Sequence, residues 1–282
     1  MFLLMIWFLS ASAQEDFETI KNKADLAFMD GQYSDALERY EQLIQSGEGD
    51  STDMAMIYGY AAISEEQTGD KKQALQYYRE ALKRNVPQLM VYDQMIELAK
   101  AEKDHEAYEF ALLQKQSEFP DFEASIIQSL AYHYFNTKQY DKLIQKSEIL
   151  TGWYPDNATF HLFDAVARQN LDDVEGASAS YKKVLAIDPD HAGANMGQGM
   201  ILYKQASAVY DALKKNYESL AKPDRVDYSN YRKQLEKPKA MYNEALPYLI
   251  KAYENPSYSS LKGVIRNCYL RTEDKETANK YL

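Results

Sequence analysis

His105, His133, His161 and His191 lie far apart along the chain, and none has a second histidine or a cysteine at the spacing a metal ion needs. Cys268 is the only cysteine, so an internal disulfide is impossible and a thiol nucleophile would lack a neighbouring charge cluster. Carboxylate pairs such as Glu65-Glu66 and Asp172-Asp173 are expected to be solvated helix ends. The chain contains no Gly-rich phosphate loop and no Gly-x-Ser-x-Gly elbow. These residues predict no metal site, no cofactor and no catalysis. What remains for function is surface.

The elements that would shape such a surface are legible in composition and spacing. Hydrophobic residues make up 45% of the 282, and only 11 glycines and 8 prolines occur, which suits helices joined by short turns. Twenty-four tyrosines offer large apolar bodies with polar tips, useful for packing and for contact surfaces. The residue opening each predicted second helix recurs at nearly even intervals, at Ala36, Ala74, Ala107, Leu143 and Ala177. In DGQYSDALERYEQLI, Gly31 precedes Ala36 and Tyr40; in TGDKKQALQYYREALKRN, Gly69 precedes Ala74, Tyr78 and Ala81. Glycine permits a tight interhelix turn, and alanine lets helices approach. The third unit, KDHEAYEFALLQKQSEFPD, has lost the turn glycine but keeps Ala107, Ala111 and Pro120. The fourth, NTKQYDKLIQKSEILTGWYPDN, keeps Tyr140 and Pro155 and places Leu143 where alanine is usual, which implies wider spacing there.

The segment 158–191, ATFHLFDAVARQNLDDVEGASASYKKVLAIDPDH, resembles the tetratricopeptide repeat (TPR), a helix–turn–helix unit of about 34 residues. One such unit cannot bury its own apolar faces, so it requires neighbours. The resemblance implies an all-α, right-handed TPR solenoid of about seven helical hairpins. Five units fall at about 17–50, 55–88, 88–121, 124–157 and 158–191. Residues 192–256 are expected to form a sixth unit with lengthened helices, because 203–211 has no Gly, Pro or Asn to make a turn. The interval from Ala177 to Ala245 is also twice the repeat length, so two degenerate units stay open. Pro238 and Pro247 should kink or restart the returning arm. Residues 257–282, carrying Val264, Cys268 and Ala278, would cap the array. Lengthened hairpins with an ALPYL-like second helix look like those of exported TPR proteins from Gram-negative bacteria.

Phe2 to Leu9 is an uninterrupted apolar run followed by Ala11-Ser12-Ala13, the small-x-small pattern of a signal-peptidase cut, so 1–13 is expected to be a signal peptide. The expected destination is the periplasm, with no stable membrane insertion after cleavage. Net charge is −11, which disfavours nucleic acid as partner. Gln14 to Asp53 carries 11 acidic residues against Lys21, Lys23 and Arg39, a balance of −8; Lys204 to Glu254 carries 10 basic against 7 acidic, a balance of +3.

The family resemblance places partner contacts on a stripe of the first helices lining a concave face. By position that stripe is Phe28 and Met29, then Met56, Tyr60 and Ile63, then Tyr92 and Ile96. It continues through Tyr132 and Phe135, then Phe163 and Val166, and closes with Met196, Met200 and Tyr203. An apolar, aromatic and Met-rich stripe suits a peptide or protein segment. It differs from the carboxylate-gripping members of the family, since Asp25, Tyr60 and Ile63 occupy positions where those need Lys or Asn, and Lys21 alone matches. The expected function is therefore a non-enzymatic scaffold or adaptor in the cell envelope. The alternative is a structural subunit of an envelope assembly or homodimer, docking through residues 206–240.

Overall fold

A computed structural model describes residues 15–282; the expected signal peptide, 1–13, lies outside the described residues. Every regular element among them is helical. The first eight helices are α1 (Phe17–Met29), α2 (Tyr33–Ser46), α3 (Ser51–Thr68), α4 (Lys71–Lys83), α5 (Leu89–Ala101), α6 (His105–Glu118), α7 (Glu123–Asn136) and α8 (Tyr140–Trp153). Then come α9 (Ala158–Asn170), α10 (Val174–Ile187), α11 (Ala192–Glu218), α12 (Arg225–Gln234), α13 (Glu236–Tyr253), α14 (Lys262–Arg271) and α15 (Lys275–Asn279). The fold is all-α among the described residues, and helices adjacent in sequence pack together in pairs, as α1 with α2, α3 with α4 and α9 with α10. The chain divides into two compact units between His133 and Tyr134, within α7.

Local chemistry sets the helix ends. Asp50, Asp70, Asp104 and Asp173 cap α3, α4, α6 and α10, each carboxylate accepting a first-turn backbone N–H. The turns share one backbone device. Gly31 (φ +73°), Gly69 (+118°), Lys103 (+57°), Lys138 (+59°), Asp172 (+61°) and Glu273 (+68°) all adopt the left-handed conformation. At most of these turns the following amide reaches back to close the preceding helix, as in Asp104 N–H to Ala99 O at 2.8 Å and Gln139 N–H to Tyr134 O at 2.9 Å. The turn geometry thus survives where the glycine is lost. Lys103 and Lys138 hold it at a strain of about 1–2 kcal/mol.

In the unit ending at His133, alanines at 24, 36, 55, 61, 62 and 74 have no exposed surface, and Tyr40, Tyr78 and Tyr92 are fully buried beside them. The Tyr78 hydroxyl donates to Glu66 Oε2 at 2.7 Å and lies 3.0 Å from Gln94 Oε1, tying α4 to both α3 and α5. Gly59 sits so close to α5 that an added Cβ would lie 3.1 Å from a Val91 methyl.

In the unit from Tyr134 onward, the Tyr181 ring fills the space beside Gly197, where a Cβ would fall 2.2 Å from it. Its hydroxyl donates to Gln169 Oε1 at 2.7 Å. Buried Asp164 accepts from Arg168 Nε at 2.9 Å and from the Ser180 hydroxyl, and Arg168 also reaches Asp173 and Glu148. Helix α11 runs unbroken for 27 residues and packs along α13. Among the described residues, 192–253 hold α11, α12 and α13, and α11 continues through 203–211 without a turn. The returning arm is two helices, since α12 ends at Gln234 and α13 starts at Glu236, just before buried Pro238; Pro247 lies inside α13. Cys268 is buried among Leu261, Ile265 and their neighbours, and burial pushes its thiol up to about 12.

Two substitutions test these close approaches by urea unfolding. Lys138→Gly relieves the left-handed strain and is expected to gain about 0.5 kcal/mol after the extra chain entropy of glycine is offset. Gly197→Ala drives a methyl into the Tyr181 ring and is expected to lose about 1–3 kcal/mol. Equal midpoints for both variants and the parent would contradict this packing.

Candidate partner-binding groove

In the unit ending at His133, Lys21, Asp25, Phe28, Met29, Tyr40, Met56, Ile57 and Tyr60 enclose a cleft of about 230 Å³. Helices α1 and α3 supply most of the wall. α1 carries Lys21, Asp25, Phe28 and Met29 on one stripe at i, i+4, i+7 and i+8, and α3 carries Met56, Ile57 and Tyr60. The aromatic side is pre-packed: Phe28 lies 4.8 Å from Tyr60 and 5.7 Å from Tyr33, centroid to centroid. Met29 stands free at the rim, 75% exposed.

The cleft is electrically quiet. Asp25 accepts the Tyr40 hydroxyl at 2.8 Å and pairs with Lys21 at 3.3 Å. Burial, and then the Asp25 carboxylate, raise both Tyr40 and Tyr60 above the usual phenol range. Both rings therefore stay neutral. Among the described residues, no unengaged base or nucleophile lines the space. A neutral aromatic and thioether lining suits an apolar side chain of a peptide.

The other stripe positions separate by exposure. Phe28, Met56, Tyr60 and Ile96 are half-buried, and Tyr132 is 48% exposed. Ile63 and Tyr92 are interior. Tyr92 is fully buried, packs edge-on to Phe119 at 5.1 Å, and burial pushes its phenol up to about 12. In the unit from Tyr134 onward, Phe163 is buried against half-buried Phe135 at 4.8 Å. Val166 is half-buried as well. Met196, Met200 and Tyr203 flank the α11–α13 core, with the Tyr203 ring 5.8 Å from that of Tyr242. Ile63, Tyr92 and Phe163 thus belong to the packing between helices rather than to a contact face. Repeat spacing locates a helix but leaves its rotation about its own axis open by the width of a side chain. Tyr40 and Ile57 line the cleft although the stripe omits them, because both hold core positions.

Among the carboxylates weighed for chemistry, Asp173 pairs with Arg168 at 2.9 Å. Glu66 and Asp93 share a shallow acidic depression, but Glu66 accepts from Tyr78 and Asp93 pairs with Lys115 at 2.6 Å. His105 and His133, far apart in sequence, meet at 5.6 Å between ring centroids. Among the described residues, no three His, Cys, Asp or Glu side chains gather as metal ligands, and no helix is long and apolar enough to cross a membrane.

Residues 21–89 match the tetratricopeptide repeat family model, a span that contains the whole lining of the cleft. No match to a curated protein is found. Among solved structures, a TPR repeats protein of Bacteroides fragilis is similar at 17% identity, covering 91% of this chain and 99% of its own, with a TM-score of 0.35. A Bacteroides ovatus crystal structure is similar at 19% identity, covering 79% of this chain and 100% of its own, with a TM-score of 0.47. MamA of Desulfovibrio magneticus is similar at 14% identity over 69% of this chain and 98% of its own, with a TM-score of 0.38.

The division of the stripe into rim and interior is directly testable by thermal and urea unfolding. Met29→Glu is expected to leave stability unchanged, within about 0.5 kcal/mol, as an exposed substitution should. Tyr92→Ala is expected to lose about 3–5 kcal/mol, the cost of emptying a buried aromatic site. Similar losses for the two would place Met29 inside the fold and remove the cleft.

Proposed function

We propose that this chain, a tetratricopeptide repeat protein, acts as an adaptor that holds a segment of another protein in the cleft between α1 and α3. Tetratricopeptide repeats bind other proteins, and an interaction scaffold is the role the family match supports. The observation that carries the finer assignment is the lining itself. Phe28, Met29, Met56 and Tyr60 surround about 230 Å³ of space in which the only charged lining residues described, Lys21 and Asp25, are paired to each other. An apolar side chain from an extended or helical peptide would displace water from these surfaces without stranding a charge. Adaptable methionines at the rim would fit more than one shape of side chain.

The proposed location is the periplasm, with residues 1–13 serving as a cleaved export signal; the apolar run and the Ala-Ser-Ala sequence support this. No reaction is assigned to the protein, and homo-oligomers are compatible with the adaptor role. A second reading, docking through residues 206–240, draws support from the length of α11, whose end extends past the core it shares with α13.

Photo-crosslinking separates the two. A photoreactive residue at position 29 is expected to capture one discrete protein in intact cells, in the periplasmic fraction, from a chain that begins at Gln14. The adduct is expected to vanish with Met56→Glu and to persist when residues 207–237 are deleted, with both variants melting like the parent. Absence of any adduct, or loss only on the deletion, would contradict the groove assignment.

A further inference from the structure

The second unit holds a larger cleft, of about 540 Å³, between the far part of α11, α12 and α14. Tyr210, Tyr228 and Tyr231 line it together with Arg232, Arg266 and Arg271. The three guanidinium groups are engaged very differently. Arg232 donates to Glu273 at 2.8 Å, and Lys239 holds the same carboxylate at 2.9 Å, so Glu273 is doubly neutralised. Arg271 lies over the Tyr210 ring, 3.8 Å from its centroid, without a carboxylate partner among the described residues. Arg266 keeps its Nε shielded from water with no acceptor among them.

A shielded guanidinium N–H without an acceptor is costly, and Arg271 meets only the face of the Tyr210 ring. An incoming anionic oxygen would satisfy both deficits. Planar guanidinium groups prefer the two-oxygen geometry of a carboxylate. Beside them the wall is apolar and accessible: Tyr228 is 52% exposed and Leu270 39%. Tyr217 stacks on Tyr231 at 4.6 Å and nearly parallel, which stiffens the α11–α12 side. A site with unpaired arginines on one wall and open tyrosine and leucine on another asks for a ligand that carries an acid next to an apolar group.

We propose that this cleft is a second binding site, for an acidic peptide segment whose Asp or Glu carboxylate engages Arg266 and Arg271 and whose apolar neighbour lies on Tyr228 and Leu270. Nucleic acid fits less well, since a phosphate backbone needs an extended basic track and the chain carries −11 overall. The site shares no residue with the α1–α3 cleft and does not depend on it.

The test is selection of a random-peptide display library on the full chain, followed by affinity measurement with the synthetic winning peptide. Winners are expected to carry Asp or Glu beside Leu, Phe or Tyr. Affinity is expected to fall about tenfold or more in Arg266→Gln/Arg271→Gln, as loss of charge-assisted hydrogen bonds implies. It is expected to fall similarly in Gly263→Leu, which fills the cleft where an added Cβ meets nothing within 4 Å. Met29→Glu should leave it unchanged, and all three variants should melt like the parent. Failure to select any peptide, winners without acidic residues, or undiminished binding to the double arginine variant would each overturn the site. Winners that respond only to Met29→Glu would support the first cleft and overturn this one.

Discussion

No hairpin in this protein can bury its own apolar face, and the contacts that solve the problem are rings or branched chains set against residues with almost no side chain. Tyr181 occupies the space a side chain at Gly197 would need, Val91 presses on Gly59, and Leu249 presses on Gly199. The alanines at 36, 74, 107 and 177 leave second helices close enough to be sealed by such contacts. Burial of one large side chain is worth about 1.5–3 kcal/mol, so each helix pair draws its stability from the neighbour it meets within its unit. Within each unit this is nearest-neighbour stabilisation.

The same constraint decides what is left for function. Polar groups that could have done chemistry are used to position helices. His161 Nε2 meets Pro155 O at 2.7 Å, fixing the turn into α9, and His191 Nδ1 accepts the Ala194 amide at the start of α11. Asp25 and Glu66 receive the hydroxyls of the buried tyrosines Tyr40 and Tyr78, and Asp164 holds Arg168. What stays uncommitted is the face of α1 and α3 around Met29 and Met56, and the arginines of α14. One is apolar and the other cationic, and these are the two surfaces proposed for recognition.

Much of the fold could be read from the sequence because repeat period, small residues and turn glycines are local signals. Gly31 and Gly69 marked their turns directly. Lys103 and Lys138 did not, since nothing in a lysine announces a left-handed backbone; closure of the hairpin imposes it there against a strain of about 1–2 kcal/mol. The lengthened α11 followed from the missing turn between 203 and 211. The contact stripe was only partly legible. Ile63, Tyr92 and Phe163 share its spacing, yet a small rotation of each helix turns them inward to meet partners such as Phe119 and Phe135. The arginine cleft was invisible for a different reason. It exists because α12 and α14, far apart in sequence, face a common space, and no short window of sequence contains both.

The claim that each interhelix gap is matched to its own neighbours, and not to a repeat average, is tested most directly by a reciprocal pair of substitutions measured in urea. Ala177 and Leu143 occupy equivalent positions, and both are fully buried. Ala177→Leu is predicted to overpack its gap and lose about 1–3 kcal/mol. Leu143→Ala, although it installs the residue usual at this position, is predicted to leave a cavity and lose about 2–5 kcal/mol. Unchanged or increased stability in Leu143→Ala would contradict the account, because it would mean that the helices there close to the standard spacing once the larger side chain is gone.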